Sequence, residues 1–149
     1  MGESHAVRIE AFYNRWKTPV YRFCLVFLGE EDAASESTGS AFFEYIQQDG
    51  PLELTAMPAR LLGLALARVQ KCCAVVAKPN GKASNLAEAV LMLPCEHRAV
   101  FILRSVLGLS LEVVSEASRV TSDRARSLWF EAAMRLRELL PREFFEERR

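Results

Sequence analysis

Residues 86–140 constrain this chain more than any other stretch, because their breaks and apolar spacings fit four helices ending in a helix-turn-helix pair. Leu93-Pro94 precedes a segment in which Val100, Leu103, Val106 and Leu107 recur at helical spacing. Gly108-Leu109-Ser110 breaks it, and a short helix follows over residues 111–117. Ser118-Arg119-Val120 makes a turn, and a longer helix opens at Thr121. Thr121 or Ser122 offers an N-cap oxygen, and Asp123 suits the positive end of the helix dipole. Two helices joined by a tight turn, the second longer and bearing arginines, is how DNA-binding proteins lay a recognition helix in the major groove.

The helical period also dominates the rest of the chain, and no strand-like alternation of any length interrupts it. The fold class expected is all-α. A first helix covers about residues 5–28, with Ile9, Phe12, Trp16, Val20, Phe23 and Phe27 three and four apart. Pro19 inside it predicts a kink, or a restart at Thr18, and Gly29 ends it. A second helix covers roughly 31–48, and Asp49-Gly50-Pro51 makes the following turn. A third, strongly apolar helix spans about 56–77. The breaker-rich stretch 78–85 then reads as a linker, so residues 1–77 form a three-helix unit and 86–149 a four-helix unit.

Half of the 149 residues are apolar and 26% are charged, enough to bury a core and too many apolar ones for a disordered chain. Net charge is zero, but it is unevenly spread. Residues 1–53 carry nine acids against four bases, residues 54–87 five bases and no acid, and the remainder ten of each. No apolar run approaches the roughly 18 residues of a membrane span, and the first residues lack a secretory pattern, so cytoplasm is the expected location. Cys24, Cys72, Cys73 and Cys95 have no metal-knuckle spacing and read as free thiols filling helical cores. With only two histidines and no catalytic constellation, neither enzyme activity nor a metal or other cofactor is expected.

With these residues laid out, the chain resembles the extracytoplasmic-function sigma factors of bacterial RNA polymerase over nearly its whole length. Phe12-Tyr13, Pro19-Val20-Tyr21-Arg22-Phe23, Leu28-Gly29-Glu30-Glu31-Asp32-Ala33 and Ala41-Phe42 are similar to that family's second conserved region. Leu93-Pro94, Arg98-Ala99-Val100-Phe101, Leu103-Arg104, Gly108-Leu109-Ser110 and Ala132 to Leu140 are similar to its fourth. The resemblance implies transcription initiation, with core RNA polymerase and promoter DNA as partners. An anti-sigma factor or a second copy of the chain is a further candidate partner, and no membrane is implied. Residues implied at DNA are Thr121, Ser122, Arg124, Arg126, Ser127, Arg135 and Arg137. Polymerase docking falls to the second helix at Glu36, Ser37 and Ser40. The family's acidic, aliphatic and glutamine cluster is replaced there by Glu36-Ser37-Thr38-Gly39-Ser40.

At about 100° per residue, Ala125, Trp129, Ala132, Leu136 and Leu139 form the expected core stripe of the last helix, with the arginines on both flanks. Ser127, Phe130, Glu131 and Met134 then face outward, where the family carries basic or polar residues. Phe130 and Met134 have three readings: packing under the C-terminal tail or the other unit, a protein-contact face, or a DNA-competent surface meeting thymine methyls. The second would suit a sigma-like protein that has lost promoter recognition and works as a protein-binding regulatory module. The linker reaches about 30 Å fully extended. A sigma factor's promoter elements lie about five nanometres apart at about 3.4 Å per base pair. So short a tether predicts that the two units share a contact surface in the free molecule.

Overall fold

In a computed structural model, which describes residues 4–73 and 81–142, every regular element is helical. Helix α1 (His5–Leu28) begins at Ser4, whose hydroxyl accepts from the Val7 N–H at 3.2 Å. It runs through Pro19 without a restart, because Phe12, Trp16, Val20, Phe23 and Phe27 keep one buried stripe across the proline. Gly29 ends it in the left-handed conformation, φ 74°, donating to the Leu25 carbonyl. A Cβ there would also lie 2.8 Å from Leu91 Cδ1, so the Leu91 side chain would have to shift, but it is the positive φ that calls for glycine.

Helix α2 (Glu31–Gln47) buries Ala34, Ser37, Thr38, Ala41, Phe42 and Tyr45 against α1. The Tyr45 ring stacks on Phe12 at 5.2 Å, and its hydroxyl donates to the Pro51 carbonyl at 2.6 Å. Trp16 Nε1 and Arg15 Nε donate to the Glu53 and Leu54 carbonyls, tying the segment before the third helix to α1. Helix α3 (Ala59–Lys71) starts later than its apolar pattern predicts. Pro58 disfavours the helical conformation in the residue before it, so Ala56 and Met57 stay outside the helix. It also ends earlier than expected, since Cys72 and Cys73 lie past its last turn; residues 74–77 of the expected extension lie outside the described residues.

Helix α4 (Leu86–Leu91) is capped by Asn85, whose side-chain oxygen accepts from Glu88 N–H. Helix α5 (Cys95–Phe101) continues into a π-helical turn, Ile102–Val106, where Leu107 N–H reaches back five residues to the Ile102 carbonyl. The sequence period gave no sign of that turn. Helices α6 (Leu111–Ser118) and α7 (Ser122–Leu139) follow as the sequence predicts.

The described end of the expected linker is not a free tether. Lys82 Nζ donates to the Glu138 carbonyl at 2.6 Å and Ala83 N–H to the Leu139 carbonyl at 2.8 Å. Both thereby satisfy carbonyls that the last turn of α7 leaves open. Residues 78–80 of that linker lie outside the described residues.

The two halves share one continuous set of buried side chains. Helix α3 packs on α6, while α1 packs on α4 and on the π-helical turn. Gly63 permits the first of these contacts, since a Cβ there would sit 3.3 Å from the Ala117 carbonyl oxygen. The shared surface expected from the short linker is therefore present. The free-thiol reading needs correction: Cys73 and Cys95 form a disulfide, with Cα atoms 6.7 Å apart, leaving Cys24 and Cys72 free. Twenty-two residues separate the pair, and only the return of the chain from the end of α3 to the start of α5 brings them together.

Arg98 is 1% exposed and lies where α1 and α4 end and α5 begins. Its guanidinium donates to the carbonyls of Phe27 (2.9 Å), Leu91 (2.7 Å) and Leu93 (3.0 Å), with the Phe27 ring 5.0 Å away. Helix C-termini favour a cation, and the side chain satisfies the ends of α1 and α4 together. Arg98→Met removes the donors and leaves these carbonyls buried. At about 1–3 kcal/mol per orphaned group, urea unfolding should show a loss of at least about 3 kcal/mol. A loss below about 1 kcal/mol would mean that the carbonyls find other donors.

Candidate nucleic-acid interface

The helix-turn-helix is set by short-range hydrogen bonds that the sequence encodes locally. Gly108 takes φ 70° and releases the chain from the π-helical turn. Ser110 caps α6 by accepting from Val113 N–H at 3.3 Å. Arg119 ends α6 in the left-handed conformation at φ 59°, which costs a non-glycine residue about 1–2 kcal/mol. The Ser115 hydroxyl donates to the Val120 carbonyl and holds that turn. Thr121 then caps α7, its hydroxyl accepting from Arg124 N–H at 3.1 Å.

Burial fixes the phase of α7. Ala125, Leu128, Ala132 and Leu136 are buried, while Trp129 and Leu139 are only partly so. The core stripe thus runs one residue off the expected one at its centre, and Leu128 takes the place assigned to Trp129. Trp129 instead lies along the edge, donating from Nε1 to Ser105 Oγ at 2.8 Å beneath the Arg104 guanidinium. Ser105 and Arg104 both belong to the π-helical turn, which turns them towards α7. The outward face is nonetheless as expected: Phe130 is 64% exposed and Met134 46%. Neither is covered by any described residue, so packing under the other half is not their arrangement.

Thr121, Ser122, Arg124, Arg126, Ser127, Arg135 and Arg137 are all exposed. The helical rotation places Arg126 and Arg137 along one edge of the outward face and Arg124 and Arg135 along the other, with Phe130 and Met134 between them. Several of these charges are engaged within the molecule. Arg124 pairs with Glu96 at 3.6 Å and Arg126 with Asp123 at 3.4 Å. Exposed pairs of this kind are weak, about 0–1 kcal/mol, and give way readily to phosphate. Glu131 meets His97 Nε2 at 3.0 Å. The hydrogen bond to His97, reinforced by the charges of His97, Arg124 and Arg135, holds the Glu131 carboxyl below the usual glutamate range.

The expected docking residues on α2 separate. Glu36 is exposed and Ser40 half-buried, but Ser37 is only 6% exposed. Ser37 belongs to the inward stripe with Ala34, Thr38 and Ala41, so its hydroxyl is withdrawn from any docking surface. Beside Glu36, a groove of about 290 Å³ opens between α1 and α2, lined by Tyr13, Lys17, Thr18, Tyr21, Ser35, Thr38 and Gly39. Gly39 has no atom within 4 Å of where a Cβ would stand. Phe43, 66% exposed, is the other surface residue not anticipated. Its place on α2 is one step beyond the buried pair Ala41 and Phe42, which carries its ring off the inward stripe.

No family model matches the chain, and no curated protein matches it. Among solved structures, the chain is similar to one from the complex of the sigma factor RpoE with the anti-sigma factor NepR of Bartonella quintana. The match has a TM-score of 0.66 and 17% identity, over 85% of this chain and 92% of that one. The RsbN–BldN complex matches at 19% identity over 91% and 94% of the chains, with a TM-score of only 0.38. The all-α fold is sigma-factor-like, in agreement with the motif resemblance.

The lowered Glu131 carboxyl pKa favours the folded state above the unfolded carboxyl pKa, and that contribution is lost as pH falls through the folded pKa. A carboxyl-carbon NMR titration should place the Glu131 midpoint below the ordinary 4.5. His97→Ala should move it back up. An ordinary midpoint in the unsubstituted protein would show that the His97 contact is absent in solution.

Proposed function

We propose that this chain acts in bacterial transcription initiation as a sigma factor of the extracytoplasmic-function type, binding core RNA polymerase and promoter DNA. The observation that carries the reading is the helix-turn-helix, whose second helix presents four exposed arginines on a sigma-factor-like fold. In this reading residues 1–77 dock on polymerase and open the promoter, and residues 86–149 read duplex DNA. Arg124, Arg126, Arg135 and Arg137 meet phosphates and base edges, with Thr121, Ser122 and Ser127 nearby. Glu36 and Ser40 remain the polymerase-docking residues, joined by the groove beside them. An anti-sigma protein that covers these surfaces is the natural regulator.

A second reading is favoured by one specific observation. Phe130 and Met134 occupy the middle of the face that would meet DNA, and Glu131 adds a charge of the wrong sign for phosphate. On that reading the chain keeps the sigma architecture but has lost promoter recognition, and α7 docks on another protein or on a second copy of this one.

Titration of duplex promoter fragments at two salt concentrations separates the readings. Four arginine–phosphate contacts give a slope of log K against log salt of about −3 to −4. Phe130→Arg with Glu131→Arg should then raise affinity and steepen the slope by about two units. A slope near zero for the unsubstituted protein removes promoter binding. If the same double variant abolishes self-association or partner binding in a sedimentation run, the second reading stands, because unpaired charge is costly in an apolar interface.

A further inference from the structure

The junction between the halves holds a group of sulfur atoms that the reading above does not use. Cys73 follows the end of α3 and Cys95 opens α5, so their disulfide ties the N-terminal half to the C-terminal half. Both residues are partly exposed at the edge of the core, so a reductant can reach the bond. Cys72, immediately beside it, is an exposed free thiol. The remaining cysteine plays no part: Cys24 is buried in α1, and burial pushes its thiol up to about 11, where it is inert at neutral pH.

The bond stands at a place where breaking it changes something. A cleft of about 680 Å³ lies between α3 and the end of α6, lined by Arg60, Leu64, Ala67, Gln70, Glu116 and Arg119 among others. Beside it α3 packs on α6, with Gly63 set against the Ala117 carbonyl. The Cys95 end anchors the first turn of α5, whose next residues, Glu96 and His97, hold Arg124 and Glu131 of α7. One covalent link therefore restrains the separation of the halves.

We propose that the Cys73–Cys95 disulfide is a redox-operated latch, opened by a dithiol reductant, that controls separation of the two halves of the molecule. The first thiolate of the dithiol attacks one sulfur, the Cys73–Cys95 bond breaks, and a mixed disulfide forms. The second thiolate displaces the attached cysteine. Two electrons pass from the dithiol to the protein, and its two protons end on Cys73 and Cys95. The dithiol leaves as an internal disulfide. The inference goes beyond the transcription reading and does not depend on it. Where that reading holds, the latched form is the one least able to span two separated DNA elements.

The test uses the full chain with donor and acceptor dyes introduced by non-thiol chemistry at Glu10 and Glu138, both exposed and on opposite halves. Without reductant, thiol titration should find two thiols per denatured chain, Cys24 and Cys72, and dithiothreitol should raise the count to four. Single-molecule energy transfer should then show a long-distance population enlarged roughly thirtyfold to several-hundredfold, the range expected when a closure of this length is released. Circular dichroism should keep its helical signal throughout. Cys73→Ser should show the enlarged population without reductant, and Cys72→Ser should keep the redox response. Four thiols in the unreduced protein, an unchanged distance distribution on reduction, or loss of helicity together with the bond would each overturn the latch. So would loss of the response in Cys72→Ser, which would mean a different pairing.

Discussion

A single buried cation organises the junction on which the rest of the fold depends. Arg98 sits where α1 stops, where α4 stops and where α5 has just begun, and it serves carbonyls from the first two. Burial acts against its charge, lowering its pKa, yet three carbonyl dipoles and the Phe27 face surround the guanidinium. The geometry around it follows from that demand. Gly29 must turn at once after α1, Leu91 must press on it, and α5 must start near enough to reach both ends. The interface between the halves is thus polar at its centre and apolar around it, which fixes one register where an all-apolar contact would allow several.

Signals that act within a few residues were legible in the sequence. Thr121 as a cap, Gly29 and Gly108 as helix breaks and the turn at Ser118-Arg119-Val120 all stand where local chemistry puts them. Features that depend on tertiary neighbours were not. Leu128-Trp129-Phe130 is three apolar residues in a row, and periodicity alone cannot choose which one faces the core. Packing on α5 and α6 selects Leu128 and leaves Trp129 to the hydroxyl of Ser105. Ser37 looked like a surface residue because it is polar, but the stripe through Ala34 and Ala41 carries it inside. Arg98 stood in a recognised motif, yet nothing in the sequence marks an arginine as buried. The Cys73–Cys95 bond was hidden for the same reason, since its partners meet only in the folded chain.

The outward face of α7 is closer to an amphiphilic surface than to a basic one. Between Ser122 and Leu139 there are four arginines and three acids, a surplus of one, and Glu96 on α5 removes even that. What distinguishes the face is the apolar strip of Phe130 and Met134 with cations along both edges. Such a surface favours a ligand that brings both apolar contact and negative charge over one that brings charge alone.

The bonds from Lys82 and Ala83 to the last carbonyls of α7 have a mechanical meaning. The chain leaving the N-terminal half does not enter the C-terminal half at α4, its first helix in sequence. Past the Cys73–Cys95 link, it is moored to the far end of α7. A pull on the connecting segment beyond that link therefore reaches the tip of the recognition helix before it reaches α4.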